Sequence, residues 1–162
     1  MSFPAVDQSQ TPEEKFREYL ASRSRPQRFT GQQRDLVRYI FTQHDHFDAD
    51  QLIDEMRKAG HTVSRATVYR TLTKLVDAGL LRRLEMGPRM LYEHDYGYPA
   101  HDHMHCEECN EMIEFQSPEL EEVLRTVCAQ KSFNASGHTL ILRGICENCN
   151  RARASRRRLN RI

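Results

Sequence analysis

Apolar residues recur at three- and four-residue intervals through the first half of the chain, then switch to short strand-like runs after Leu80. Each helical stretch opens on a residue suited to capping free backbone N–H groups. Thr11 precedes Pro12 and Glu14, a capping-box pattern, and Phe16, Tyr19 and Leu20 then form one stripe. A basic link containing Arg23, Arg25, Pro26 and Arg28 breaks that helix. Thr30 caps a second helix carrying Leu36, Val37, Ile40 and Phe41, and His44 to Phe47 reads as a turn. Asp48 or Asp50 caps a third helix, with Leu52, Ile53 and Met56 inward and Gly60 at its end. Ser64 caps the fourth, Arg65 to Ala78, stopped by Gly79, with Val68, Leu72, Leu75 and Val76 as its buried stripe. Leu80–Met86 and Arg89–Glu93 flank Gly87-Pro88 and predict a hairpin.

Three helices followed by a two-stranded hairpin make a winged helix, an architecture that lays its last helix in the major groove of DNA. The outer face of the fourth helix presents Arg65, Thr67, Tyr69, Arg70, Thr73 and Lys74. Arginines pair with guanine edges, an aromatic ring lies beside bases, and hydroxyls bind phosphates. A plain solvated face is the competing reading; the combination of the three roles favours DNA.

Beyond a Tyr-, Gly- and Pro-containing hinge at residues 94–100, the pattern predicts a strand at Met112–Phe115. A helix follows from Ser117, striped by Leu120, Val123, Leu124 and Val127, and His138–Ile145 predicts another strand. Cys128 lies beside that helical stripe and reads as a buried thiol. Two strands and one helix bury little apolar surface, so this part predicts a homodimer. The overall expectation is an α+β chain with residues 1–10 disordered, a winged-helix domain over residues 11–93, and the hinge. A small α/β dimerisation domain over residues 101–150 and a basic tail over residues 151–162 complete it.

The densest chemistry lies in His101-Asp102-His103-Met104-His105-Cys106-Glu107-Glu108-Cys109. Cys106 and Cys109 form one Cys-x-x-Cys pair; Cys146 and Cys149 form a second after 36 intervening residues. Four thiolates at this spacing suit one tetrahedral structural Zn²⁺ with no open position. Two disulfides are the rival, disfavoured by the absence of a secretory signal in the polar stretch from Met1 to Thr11. In an extended segment His101 and His103 point to one face, so both imidazoles can reach a single metal; ordinary surface histidines are the competing reading. Two metals follow: a thiolate site that holds the fold, and a nitrogen-and-oxygen site open to exchange.

Composition adjusts this picture only slightly. The 162 residues are 38% hydrophobic and 29% charged with a net charge of +1, and no apolar run is long enough for a membrane span. A cytoplasmic location without membrane contact is expected. Residues 1–95 carry 15 Lys and Arg against 14 acids, residues 96–150 carry 3 against 9, and residues 151–162 carry 6 Arg with no acid. The sum demands no nucleic acid; the placement of arginines has to argue for it. The tail reads either as a solvated disordered end or as an arm contacting phosphates.

The run Ala66-Thr67-Val68-Tyr69-Arg70-Thr71-Leu72, with His101-Asp102-His103 and both Cys-x-x-Cys pairs, resembles the ferric uptake regulator family over roughly residues 15–150. The resemblance implies a homodimeric repressor in which metal at the hinge sets the angle between two DNA-binding heads. It assigns the regulatory metal to His46, Glu93, His101, His103 and Glu114, and a secondary site to Asp102, Glu121 and His138. Ala100 stands where the family usually has another histidine of that secondary site, which is weakened or absent here. The resemblance also places Tyr69 and Arg70 in the major groove and Arg28 in an adjacent groove.

Imidazole with carboxylate fits Fe²⁺ or Mn²⁺, while Zn²⁺ or Co²⁺ would also bind in vitro. The peroxide-sensing branch tends to have Asp where this chain has Glu93 and Glu114. The zinc-sensing branch often recruits a sensory cysteine, and none precedes Cys106. Both departures favour Fe²⁺ as the signal, with zinc or peroxide sensing as alternatives. A metalloenzyme built on His101, His103 and a Glu is the rival class, but it leaves the winged helix without a role.

Overall fold

The computed structural model describes residues 9–43, 46–87 and 89–159. The expected disorder at residues 1–10 therefore falls almost wholly outside the described residues, as do His44, Asp45 and Pro88 of the two expected turns. The chain divides into two compact units between Pro99 and Ala100.

The first unit is helical at its start for local reasons. Helix α1 (Pro12–Ser22) carries a complete capping box, Thr11 and Glu14 each bonding the other's backbone N–H. Helix α2 (Gly31–Ile40) repeats the device with Thr30 and Gln33. Strand β1 (Phe47–Asp48) leads directly into α3 (Ala49–Lys58), where Asp48 is the cap, its Oδ1 accepting the Gln51 N–H at 2.7 Å. Ser64 caps α4 (Arg65–Asp77). At Gly79 the chain turns through φ +64°, a region costly for a side chain, and enters β2 (Leu81–Met86) and β3 (Arg89–His94).

The three strands form an antiparallel sheet in the order β1-β3-β2, with Phe47 opposite Tyr92 and Arg82 opposite Glu93. Phe16, Leu20, Leu36, Val37, Ile40, Leu52, Met56, Val68, Leu72, Leu75 and Leu80 interlock beneath it as the core. Each such leucine contributes about 1.5–3 kcal/mol through burial. This is the winged helix expected, with two corrections. Residues 46–47 are not simply turn, because Phe47 pairs with β3; and Val76 is only half-buried, Thr71 taking a place in the α4 stripe instead.

The second unit is built on β4 (Asp102–Cys106), flanked by β5 (Met112–Phe115) antiparallel and β6 (Ile141–Gly144) parallel. A parallel neighbour requires a crossover, supplied by α5 (Pro118–Gln130) and the loop after it. The expected strand from His138 shrinks to Ile141–Gly144, since β4 offers partners only from His103 to Cys106. No residue of α5 is fully buried; its valines and Phe133 lie open, and Cys128 is half-buried, not the buried thiol expected. Helix α6 (Glu147–Leu159) overturns, over residues 151–159, the reading of the tail as a disordered end and leaves the reading as a phosphate-contacting arm open. Arginine and alanine are strong helix formers, and Arg151 folds back to Glu147 at 3.7 Å, one turn earlier.

Candidate metal centres and nucleic-acid interface

The cysteines converge because the β4–β6 pairing brings two distant turns together. Cys106 ends β4, and the chain reverses through Asn110 at φ +59° after Cys109. Cys146 follows β6, and Cys149 lies in the first turn of α6. All four sulfurs lie within 4.8 Å of one another, with Cys109 Sγ 3.7 Å from Cys146 Sγ. Tetrahedral zinc with bonds of about 2.3 Å requires sulfurs roughly 3.8 Å apart. A disulfide requires about 2.05 Å, and the cysteines are free, so the disulfide alternative does not apply. The Cys146 N–H donates to Cys106 Sγ at 3.3 Å, and chiefly this bond holds the Cys106 thiol down at about 6. Burial instead pushes the Cys149 thiol far up. One thiolate is thus ready at neutral pH, and a cation must displace the protons that Cys109 and Cys149 hold.

The predicted regulatory ligands appear as two partial sets, one in each unit. In the winged helix His46 Nε2 lies 3.0 Å from Glu93 Oε2. The carboxylate is steadied from the other side by Arg82 Nη1 at 3.7 Å from Oε1, while Arg82 Nη2 holds Asp95 at 2.7 Å. In the second unit His103 stands opposite Glu114 in the β4–β5 ladder, so both side chains leave the sheet on one face. His101, two residues earlier, joins that face; its ring centre is 4.9 Å from that of His103 and its Nε2 is 4.0 Å from Glu114 Oε1. His103 is buried, and imidazoles held beside carboxylates in this way are a hard-to-borderline donor set for a divalent ion.

Of the secondary set, Asp102 and His138 meet, His138 Nε2 lying 3.1 Å from Asp102 Oδ1. Glu121, exposed on α5, completes no three-ligand group with them among the described residues.

On α4 the residues predicted to read DNA stand outward. Arg65, Tyr69 and Arg70 are exposed and Thr67 half-exposed, Tyr69 retaining 43% of its surface. The Arg65 guanidinium lies 5.9 Å from the Tyr69 ring centre, and Arg70 Nε donates to the Ala66 carbonyl at 3.0 Å. Lys74 Nζ donates to Gln27 at 2.6 Å; burial and then the neighbouring Arg23 and Arg70 charges hold its ammonium below its ordinary range. Arg28 is exposed in the link between α1 and α2.

Sequence reasoning missed the acids that organise this face. Asp50 accepts from Arg65 and Tyr69, and Asp48 accepts from Arg89 Nη2 at 2.9 Å. Both residues register in the sequence only as possible helix caps, and no local signal could have revealed pairings across 15 to 41 positions.

The chain is similar to known proteins over most of its length. Peroxide-responsive repressor PerR of Staphylococcus aureus (strain USA300) is 29% identical over 122 residues, covering 75% of this chain and 82% of its own. The solved structure of the ferric uptake regulator from Pseudomonas aeruginosa with manganese is 25% identical with a TM-score of 0.72, covering 85% of this chain and 99% of its own. A zinc-bound manganese uptake regulator is 30% identical with a TM-score of 0.61, again covering 85% and 99%. No helix among the described residues is long and apolar enough to cross a membrane. Residues 25–143 match the profile of the Ferric uptake regulator family, most of the chain. The chain belongs to that family of metal-responsive, DNA-binding transcription regulators, and is not an enzyme.

Proposed function

We propose that the protein is an Fe²⁺-dependent repressor whose two half-sites, His46 with Glu93 and His101 with His103 and Glu114, close on one regulatory ion. The observation that carries this is the pairing of imidazole with carboxylate on each side of the Pro99–Ala100 division. An ion shared between them couples metal occupancy to the arrangement of the two units, and that is what a two-state switch needs. The four cysteines hold a structural Zn²⁺ and stay out of the signal. Asp102 and His138 alone make too small a set for a further ion of comparable affinity.

The α4 face with Arg65, Thr67, Tyr69 and Arg70 reads a double-stranded operator, and Arg28 reaches the neighbouring groove. Crowding of Arg23, Arg70 and Lys74 supports this, since clustered cations are relieved by phosphates. The arginines of α6 add contacts without sequence preference. A second copy of the chain covers the apolar face of Met104, Ile113 and Leu142, each at least 40% exposed in the single chain.

Peroxide sensing is the second reading, favoured by the PerR likeness. Glu93 and Glu114, in place of the aspartates of that branch, argue against it. The test loads zinc-replete protein with Fe²⁺, Mn²⁺, Co²⁺ or further Zn²⁺ at buffered free concentrations and measures operator binding. Activation by Fe²⁺ at cellular concentrations, surviving brief peroxide treatment, fits iron sensing. Rapid loss of DNA binding by the iron-loaded form but not the manganese-loaded form would establish peroxide sensing, and activation only by Zn²⁺ would overturn both.

A further inference from the structure

The first turn of α3 places a carboxylate on the DNA-reading face, where a negative charge is unfavourable beside phosphates. Asp50 Oδ1 accepts from Arg65 Nη2 at 2.7 Å and from the Tyr69 hydroxyl at 3.1 Å. Arg65 and Tyr69 are one turn apart on α4, so one acceptor fixes the outer ends of two long side chains. The ion pair adds little to fold stability: Asp50 and Arg65 side chains are 60% and 63% exposed, and such pairs are worth about 0–1 kcal/mol. Nor does Asp50 cap its helix, since Asp48 does. A groove between α3, α4 and β3, lined by Asp48, Asp50, Tyr69, Arg89 and Tyr92, runs beside the trio. Across it Asp48 holds Arg89 of the wing strand. The N-cap and first turn of α3 therefore hold side chains of both α4 and β3.

We infer that Asp50 is a positioning residue for sequence recognition, orienting the Arg65 guanidinium and the Tyr69 phenol before DNA arrives. An unrestrained arginine has several rotamers to lose on binding, and restraint by a fixed carboxylate removes part of that cost in advance. It acts on sequence-specific contacts only, because non-specific association depends on total charge. This inference rests on α4 being the reading helix.

The experiment uses the full-length, zinc-replete protein with Mn²⁺. Its probes are a duplex selected by the parent from a random library and a shuffled duplex of the same composition. Asp50→Asn is expected to weaken the selected duplex roughly tenfold while leaving the shuffled one equal or tighter. Asp50→Glu should restore part of the discrimination. Asp50→Asn combined with Tyr69→Phe or Arg65→Gln should cost less than the sum of the single changes. Equal tightening of both duplexes by Asp50→Asn would reduce Asp50 to a repelling charge and overturn the inference. Equal weakening with a lower Tm would make it a fold residue, and strict additivity would make it a direct base contact; either overturns positioning. Arg70→Ala, which does not touch Asp50, reports on the reading helix itself. If it too leaves the ratio of selected to shuffled binding unchanged, the assignment of α4 fails first.

Discussion

His46 Nε2 sits 3.0 Å from Glu93 Oε2, although 47 positions separate them in the chain. The pairing arises because β1 docks on β3, which carries residue 46 to the level of Tyr92 and Glu93. A base and an acid so placed bind a divalent ion better than either alone, yet two ligands make a weak site. His46→Ala, His103→Ala and Glu114→Ala should therefore each keep a folded, zinc-loaded protein and lose the gain in DNA affinity on adding Mn²⁺. Pairs of these changes should be far from additive, because each breaks one shared link. DNA affinity with and without Mn²⁺ is the measurement. A His46→Ala protein responding as the parent does would confine sensing to the second unit.

Replacing Cys106 or Cys146 by serine should release one tightly held zinc per chain and dissociate the dimer, because assembly of the site is coupled to folding. Zinc content and sedimentation check this, and Cys128→Ala serves as the neutral control.

Acid should act on the same clip with a definite sign. In the metal-free fold the Cys106 thiol lies at about 6 against an ordinary 9.0. A depressed value contributes stability that is present above the ordinary pKa and lost as pH falls through the folded one. Zinc retention should weaken with falling pH throughout, since protons compete for all four sulfurs, and fall most steeply below about 6, where Cys106 also protonates. Zinc release to a chromophoric chelator across a pH series reads the curve; a flat curve from neutral pH to 5 would contradict thiolate ligation.

Tyr69→Ala and Arg70→Ala should each weaken operator binding by about 1–3 kcal/mol and random DNA much less. Arg153→Gln with Arg156→Gln should instead weaken both by the same factor and lower the salt slope by roughly one per lost phosphate contact. Binding isotherms at several salt concentrations separate the two patterns. Equal effects of Tyr69→Ala on both kinds of DNA would remove α4 as the reader.

The fold was legible where its causes are local. Thr11, Thr30 and Ser64 announce helices through bonds to residues three positions on, and the apolar stripes then dictate which face turns inward. The gathering of four cysteines was legible because thiol pairs at that spacing have few other uses. What escaped depends on remote partners. Two residues, Phe47 and Asp48, become a strand only because Tyr92 and Leu91 wait for them. The strand after His138 is short because β4 is short. The tail's helix likewise rests in part on a remote partner, Arg153 pairing with Glu108 at 2.7 Å, which a basic run in the sequence does not reveal. The Asp50 contacts carried no sequence signature.

Strand β4 has odd and even sides. His101, His103 and His105 alternate with Asp102, Met104 and Cys106, and Met104 lies in one cross-strand row with Ile113 and Leu142. Imidazoles and the Glu114 carboxylate thus face away from the thiolate and the apolar row, although His103 and Cys106 are only three positions apart. On β4 itself the pleat keeps the two chemistries apart: Cys106 cannot join the imidazole side, nor His103 the thiolate side, without a slip of one residue that would invert the whole strand. On the proposed reading, mutation can retune the odd side for another ion while leaving Cys106 and the apolar row of the even side as inherited. One strand can in this way serve regulators of different metals without being rebuilt.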